Sequence, residues 1–299
     1  MTLPNFVIAG VNKAGTTTLF DAIAAHSEVA HSSVKETCFW LPLRYGEPQP
    51  GLDTYELFFS SAPQRPVTME ATPGYFYGGA KIAPELDRAL PDVKILIALR
   101  EPVGRLVSFF RFQKSMLHLD ADLTIDQYVR DCLSHAPERL VADRALNPWF
   151  GVEGGRYDRY LSTWIEIFGD RLKIVYFEEL ATRQSELLHE IGAWLGLDPA
   201  GWSNVRAASS NQTVSPRNRR LHGLALATNR RLEQRLRRSP RLKAAARSAY
   251  QRVNTQPPCE SISDDVRKGL HDLYAEHNQG LTRLLSEFAM QPPTWSSEP

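Results

Sequence analysis

Residues 6–19 read FVIAGVNKAGTTTL, and this stretch leaves the chain little choice of fold. Phe6-Val7-Ile8-Ala9 is an unbroken apolar run, as in a strand buried on both faces. Gly10 breaks the run, and Gly15-Thr16-Thr17-Thr18 leads into the apolar-periodic stretch Leu19-Phe20-Ala22-Ile23, which predicts a helix over Thr16–His26. A strand, a glycine-bounded loop and a helix start in that order leave the first N–H groups of the helix unpaired. They point outward at the positive end of the helix dipole and form a site for an anion, most often a phosphate. The plainer alternative is a buried strand followed by a capped helix.

The loop departs from the Walker A pattern G-x-x-x-x-G-K-[ST] in an informative way. Gly10 and Gly15 keep the glycine spacing, but Thr16 stands where the lysine belongs, and the lysine has moved inside the loop to Lys13. No convincing acidic strand end is present to hold magnesium as a Walker B residue would. The loop is therefore expected to take a phosphate-type anion without a triphosphate–metal complex, and no metal is required. Val67–Ala71 reads as a second strand and Val93–Leu99 as the clearest buried one. The latter ends at Arg100-Glu101-Pro102, and a helix is predicted just after the proline. This gives R-x-P-x-x-R-x-x-S, with Arg100 and Ser108 at one rim of the sheet and Arg105 expected to pair with an acidic neighbour.

Gly10–Leu19, as G-x-x-K-x-G-T-T-x-L, resembles the 5′-phosphosulfate loop of sulfotransferases that use 3′-phosphoadenosine 5′-phosphosulfate (PAPS). Lys35-Glu36 before Phe39-Trp40, and Thr72-Pro73-Gly74-Tyr75-Phe76 after the second strand, look like the heparan-sulfate and related carbohydrate enzymes of that family. The resemblance covers roughly residues 5–220. It implies that Lys13, Ala14, Gly15, Thr16 and Thr17 hold the 5′-phosphosulfate. Arg100 and Ser108 would hold the 3′-phosphate, which suits a guanidinium fork and a hydroxyl donor. Glu36 would be the general base and Lys13 a second catalytic group. Arg217, in the basic loop 209–220, is the best match to a late loop that closes on the nucleotide, although it departs from the family's Lys-Gly-Arg form. Glu36 can also be read as half of a solvated Lys-Glu pair, and His31 is a lesser candidate base. Tyr75 and Phe76 are read either as core or as cleft lining.

The expected fold is α/β: a P-loop-like, mostly parallel sheet of about four to five strands flanked by helices, in one domain over residues 1–299. Residues 41–66 are expected to form a loop and a short helix around Thr54–Phe59 beside the acceptor, and 115–150 a helix over Leu123–Leu133 followed by an irregular insertion. Tyr157, Tyr160, Leu161, Trp164, Ile165 and Phe168 fall at helical spacing and read as a core stripe. Leu172–Phe177 reads as a strand, Leu187–Leu197 as a helix and Ser263–Phe288 as the last helix. Between 217 and 252 lie twelve basic side chains against one acid, Glu233, with leucines at helical spacing. That segment reads as a solvated helix face, with contact to an anionic membrane surface or an acidic partner as the other reading. Cys38, Cys132 and Cys259 lack C-x-x-C spacing, so neither a disulfide framework nor a zinc site is suggested. No apolar stretch approaches a membrane span, and a cytoplasmic location is expected.

The implied reaction is sulfuryl transfer from PAPS, leaving 3′-phosphoadenosine 5′-phosphate (PAP), to a hydroxyl or amine of a small-molecule, glycan or glycolipid acceptor. Nucleic acid is not an expected partner. The competing readings are a P-loop kinase-like phosphotransferase and a non-catalytic polyanion-binding module.

Overall fold

The structure is a computed structural model that describes residues 3–202, 215–216, 218, 221–225, 228, 254–256 and 262–296. Five strands form one sheet: β1 (Phe6–Gly10), β2 (Val29–His31), β3 (Val67–Ala71), β4 (Lys94–Leu99) and β5 (Leu172–Tyr176). All pair in parallel, in the order β2-β3-β1-β4-β5. β1 and β3 are buried along their whole length; β1 is the unbroken apolar run expected of a strand covered on both faces, whereas β3 buries Thr68 and Glu70 as well.

The order places β1 at the centre and reverses direction beside it. From β1 the chain goes out to the edge strand β2 and returns through β3 beside β1; it then crosses to β4 on the other side of β1 and builds outward to β5. The loops leaving β1 and β4 therefore diverge, and a crevice opens at the carboxyl ends of these two strands.

Helix α1 (Thr16–Ala24) follows β1 and buries Leu19, Phe20 and Ile23. Helices α2 (Leu41–Tyr45), α3 (Leu52–Glu56) and α4 (Gly79–Ala89) come next in the chain, and α5 (Pro102–Ser115) follows β4. Its start is set by Pro102 and by the Glu101 side chain, which accepts hydrogen bonds from the Val103 and Gly104 N–H groups. Helix α6 (Ile125–Ser134) starts on a Thr124–Gln127 capping box. Helix α8 (Asp158–Phe168) buries Leu161, Trp164, Ile165 and Phe168 in the core. A second apolar cluster joins α5, α6 and the C-terminal helix (Asp264–Glu287) through Leu106, Phe110, Tyr128, Leu270 and Tyr274.

Three expectations change, and one reading left open is decided. β2 was not expected; it is a three-residue edge strand, too short to show a pattern. The region after α6 is not irregular, because it holds helix α7 (Pro137–Ala142) and a 3₁₀ segment, Arg144–Trp149. Among the described residues Arg105 does not pair with an acid. It is fully buried, donates to the Gly151 carbonyl and lies among the phenols of Tyr77, Tyr128, Tyr157 and Tyr274. Tyr75 and Phe76 are both core. The basic segment 217–252 lies almost entirely outside the described residues. Among the described residues no helix is long and apolar enough to cross a membrane.

Candidate active site in the crevice between β1 and β4

The loop from Gly10 to Thr16 turns tightly over the end of β1. Lys13 has φ 72° and Gly15 φ 81°. Gly15 is required twice over: its φ is left-handed, and a Cβ there would come within 2.7 Å of Leu180 Cδ2 and 3.0 Å of Phe177 Cδ2. Those two side chains belong to α9 (Phe177–Thr182), which follows β5, so the loop is pressed between its own helix and the next one round.

A cavity of about 850 Å³ lies over this crevice. Asn12, Lys13, Gly15, Thr16, Thr17 and Thr18 form its floor, and Gly104, Val107, Ser108, Arg111 and Phe112 of α5 form one wall. Glu36, Cys38, Thr72, Pro73 and Gly74 stand at the ends of β2 and β3 on the other side. Leu41 and Tyr45, from the loop expected beside the acceptor, line the outer part. Among the described residues the cavity lining carries five cations, Lys13, Arg44, Arg100, Arg111 and Arg267, and one carboxylate, Glu36.

The cations crowd one another. Arg100 Nη1 donates to the Lys13 carbonyl at 3.2 Å, while the guanidinium stacks on the Phe177 ring at 4.1 Å. The Lys13 ammonium sits 4.5 Å from the Phe112 ring centroid. Burial, and then the Arg100 charge, lower the Lys13 ammonium to about 8, against an opposing pull from Glu36. Burial also lowers Arg100 from its ordinary value. Two desolvated cations beside the N-terminus of α1 concentrate positive potential at the strand ends, a setting suited to a multiply charged anion.

Of the residues singled out in sequence, Lys13, Gly15, Thr16, Thr17, Glu36, Arg100 and Ser108 come together on this cavity. Ala14 does not line it: its side chain is buried and its N–H turns back to the Val11 carbonyl at 3.3 Å. Arg217 lies outside the described residues. His31 is directed elsewhere, with Nδ1 on the Ser32 carbonyl at 2.8 Å. Glu36 also keeps its neighbour, with Lys35 Nζ 2.8 Å from Oε1, so the charge pair and a place on the cavity coexist.

Three cationic residues of the site were missed. Arg111 follows Ser108 by one turn on the same face of α5, and that periodicity could have found it. Arg44 lies in the 41–66 loop and is buried, with Nε donating to the Val141 carbonyl at 3.0 Å and its guanidinium over Phe150. Arg267 comes from the first turn of the C-terminal helix, and no local signal ties it to the site.

A family model described as the sulfotransferase domain matches residues 3–214. The chain belongs to that family. Human bifunctional heparan sulfate N-deacetylase/N-sulfotransferase 3 is 26% identical over 304 residues, covering 98% of this chain and 31% of that protein. Carbohydrate sulfotransferase 15 of Rattus norvegicus is 25% identical over 248 residues, covering 66% of this chain and 44% of that protein. The chain thus spans less than half the length of these curated relatives. Among solved structures, a sulfotransferase from Alicyclobacillus acidocaldarius aligns over 100% of both chains with TM-score 0.68 at 18% identity, which shows a shared fold. The five-stranded parallel sheet flanked by helices is the sulfotransferase α/β fold.

Proposed function

We propose that this sulfotransferase-family chain moves the sulfuryl group of PAPS to a hydroxyl or amine of a saccharide-bearing acceptor by in-line displacement. The observation that carries the reading is the Lys13–Arg100 pair, two desolvated cations meeting at the strand ends beside the open N-terminus of α1. When bound, PAPS supplies an activated sulfuryl group on a phosphate leaving group. The N–H groups of Gly15, Thr16 and Thr17 and the Lys13 ammonium hold the 5′-phosphosulfate and stabilise charge on the bridging oxygen as the bond to sulfur breaks. Arg100 and Ser108 hold the 3′-phosphate, with Arg111 one turn along. Glu36 takes the proton from the attacking acceptor atom. Tyr45 and Leu41 offer an aromatic and an apolar surface at the outer cavity for the acceptor's sugar. The carbohydrate-directed relatives support a saccharide acceptor.

Calorimetric titration with PAP in the absence of magnesium tests the donor assignment. The wild type should bind, and Arg100→Ala should weaken binding by more than about tenfold, or roughly 1.4 kcal/mol. A wild type that ignores PAP and binds ATP only with magnesium would overturn the reading in favour of a phosphotransferase.

A further inference from the structure

Glu70 is a carboxylate that the proposed chemistry leaves unused. It sits in β3 opposite Val7 of β1 and is 0% exposed. Its partners are hydroxyls: Oε2 accepts from Thr37 Oγ1 at 2.5 Å and from Thr72 Oγ1 at 3.2 Å, and Oε1 accepts from the Tyr55 phenol at 2.8 Å. Among the described residues no cation pairs with it. Burial pushes its carboxyl up, and the hydrogen bonds from Thr37, Tyr55, Tyr75 and Thr72 pull it back. An apolar side chain would cost the strand less at this position.

What the network does hold is the turn that carries Glu36. The Glu36 N–H donates to the Ala71 carbonyl at 2.9 Å, next to Glu70 in the strand. Thr37 is fixed on Glu70 itself and lies 3.2 Å from the Tyr75 hydroxyl. The Cys38 N–H donates to Thr72 Oγ1 at 3.3 Å, and the Trp40 N–H donates to the Tyr75 hydroxyl at 3.3 Å. The turn needs such fastening: Glu36 and Cys38 have φ 65° and 57°, a region that costs a non-glycine residue on the order of 1 kcal/mol or more.

We propose that Glu70 is a positioning residue, which locks the 36–40 turn through Thr37, Thr72 and Tyr55 and so fixes the Glu36 carboxylate at the point of transfer. The role rests on the donor and base assignments above, but the lock can be measured without them. Cys38 reaches solvent, while desolvation and then the Glu36 and Glu70 charges push its thiol up to about 11. A released turn would return it toward its ordinary value of about 9 and raise the thiolate fraction at pH 8 by roughly 100-fold.

The experiment compares Glu70→Gln and Thr37→Val in a Cys259→Ser background. The readouts are iodoacetamide alkylation of Cys38, PAP affinity, and single-turnover consumption of PAPS with N-desulfated heparin as the acceptor probe. Thr37→Val alters no charge and leaves the core carboxylate in place, so it reports on the lock even where Glu70→Gln fails to fold. Alkylation should quicken at least about tenfold in both variants, PAP affinity should stay within about threefold, and turnover should fall about 30-fold or more. Adding Glu70→Gln to Glu36→Gln should cost less than about threefold further, because both act on one carboxylate. Unchanged alkylation in Thr37→Val would overturn the proposal. So would turnover and PAP affinity falling together, or independent multiplication of the two glutamate effects. Wild-type protein that does not bind PAP would sink the donor reading, while the alkylation rates would still decide the lock.

Discussion

The two strands that flank β1 end in opposite ways. β4 runs out into Arg100, whose charge is turned to the cavity and stacked on Phe177, with one donor on the Lys13 carbonyl. β3 carries Glu70, whose charge is turned inward and spent on three hydroxyls. The first arrangement gathers desolvated cations whose acidic neighbours, Glu36 and Glu178, offset burial only in part, so it gains from a bound anion. The second is complete in the protein alone. The difference teaches that one end of the site is built to bind and the other to stay still, and the two should separate in experiment.

The sharpest separation is expected at the residue the β3 side holds in place. Glu36→Gln should lower single-turnover sulfuryl transfer by about 10²–10⁴-fold, the range for loss of a general base, while PAP affinity changes little. Arg100→Ala should do the reverse, costing affinity by about 10- to 100-fold and leaving a larger share of the rate at saturation. Variants that both lose rate and affinity in equal measure would break the contrast.

A smaller effect comes from pH. Free Lys13 gives up its proton at about 8, and a bound dianion would hold that proton, so binding requires proton uptake above this value. PAP affinity should therefore fall about tenfold between pH 7 and pH 9, and titrations of Lys13→Arg over the same range should be nearly flat. For the unliganded protein the sign is opposite. The folded pKa lies below the ordinary 10.5, so this group adds stability as pH rises from about 8 toward 10.5. The smallest effect is expected at the cavity's edge: Arg267→Ala should weaken PAP by about two- to fivefold, and less at high salt, since that side chain is exposed.

The β4 side was legible because its signals are local. An apolar run, a glycine-bounded loop and an arginine at a strand end can each be read within a dozen residues, and the strand at Val67–Ala71 was found for the same reason. On the β3 side the strand and Glu36 were legible, but what holds Glu36 in place was not. Glu70 looks like any polar residue inside a short strand, and its meaning depends on hydroxyls at positions 37, 55 and 72 that only the fold assembles. β2 was invisible because its three residues draw their order from pairing with β3. Helix α7 was hidden by the prolines and arginines around it. Arg105 misled because a buried guanidinium normally implies a carboxylate, whereas here carbonyl and phenol oxygens surround it.

The stretch that defines the family stops at residue 214, yet Arg267 reaches the cavity from beyond it. Leu270 and Tyr274, one and two turns further on, are buried against Leu106 and Phe110 of α5, and the Tyr274 hydroxyl donates to the Val152 carbonyl at 2.8 Å. A protein cut at the family boundary would keep every recognisable motif and still bare the outer side of the helix that carries Ser108 and Arg111. The segment that inheritance marks out and the segment that completes the cavity and covers α5 are different lengths of chain.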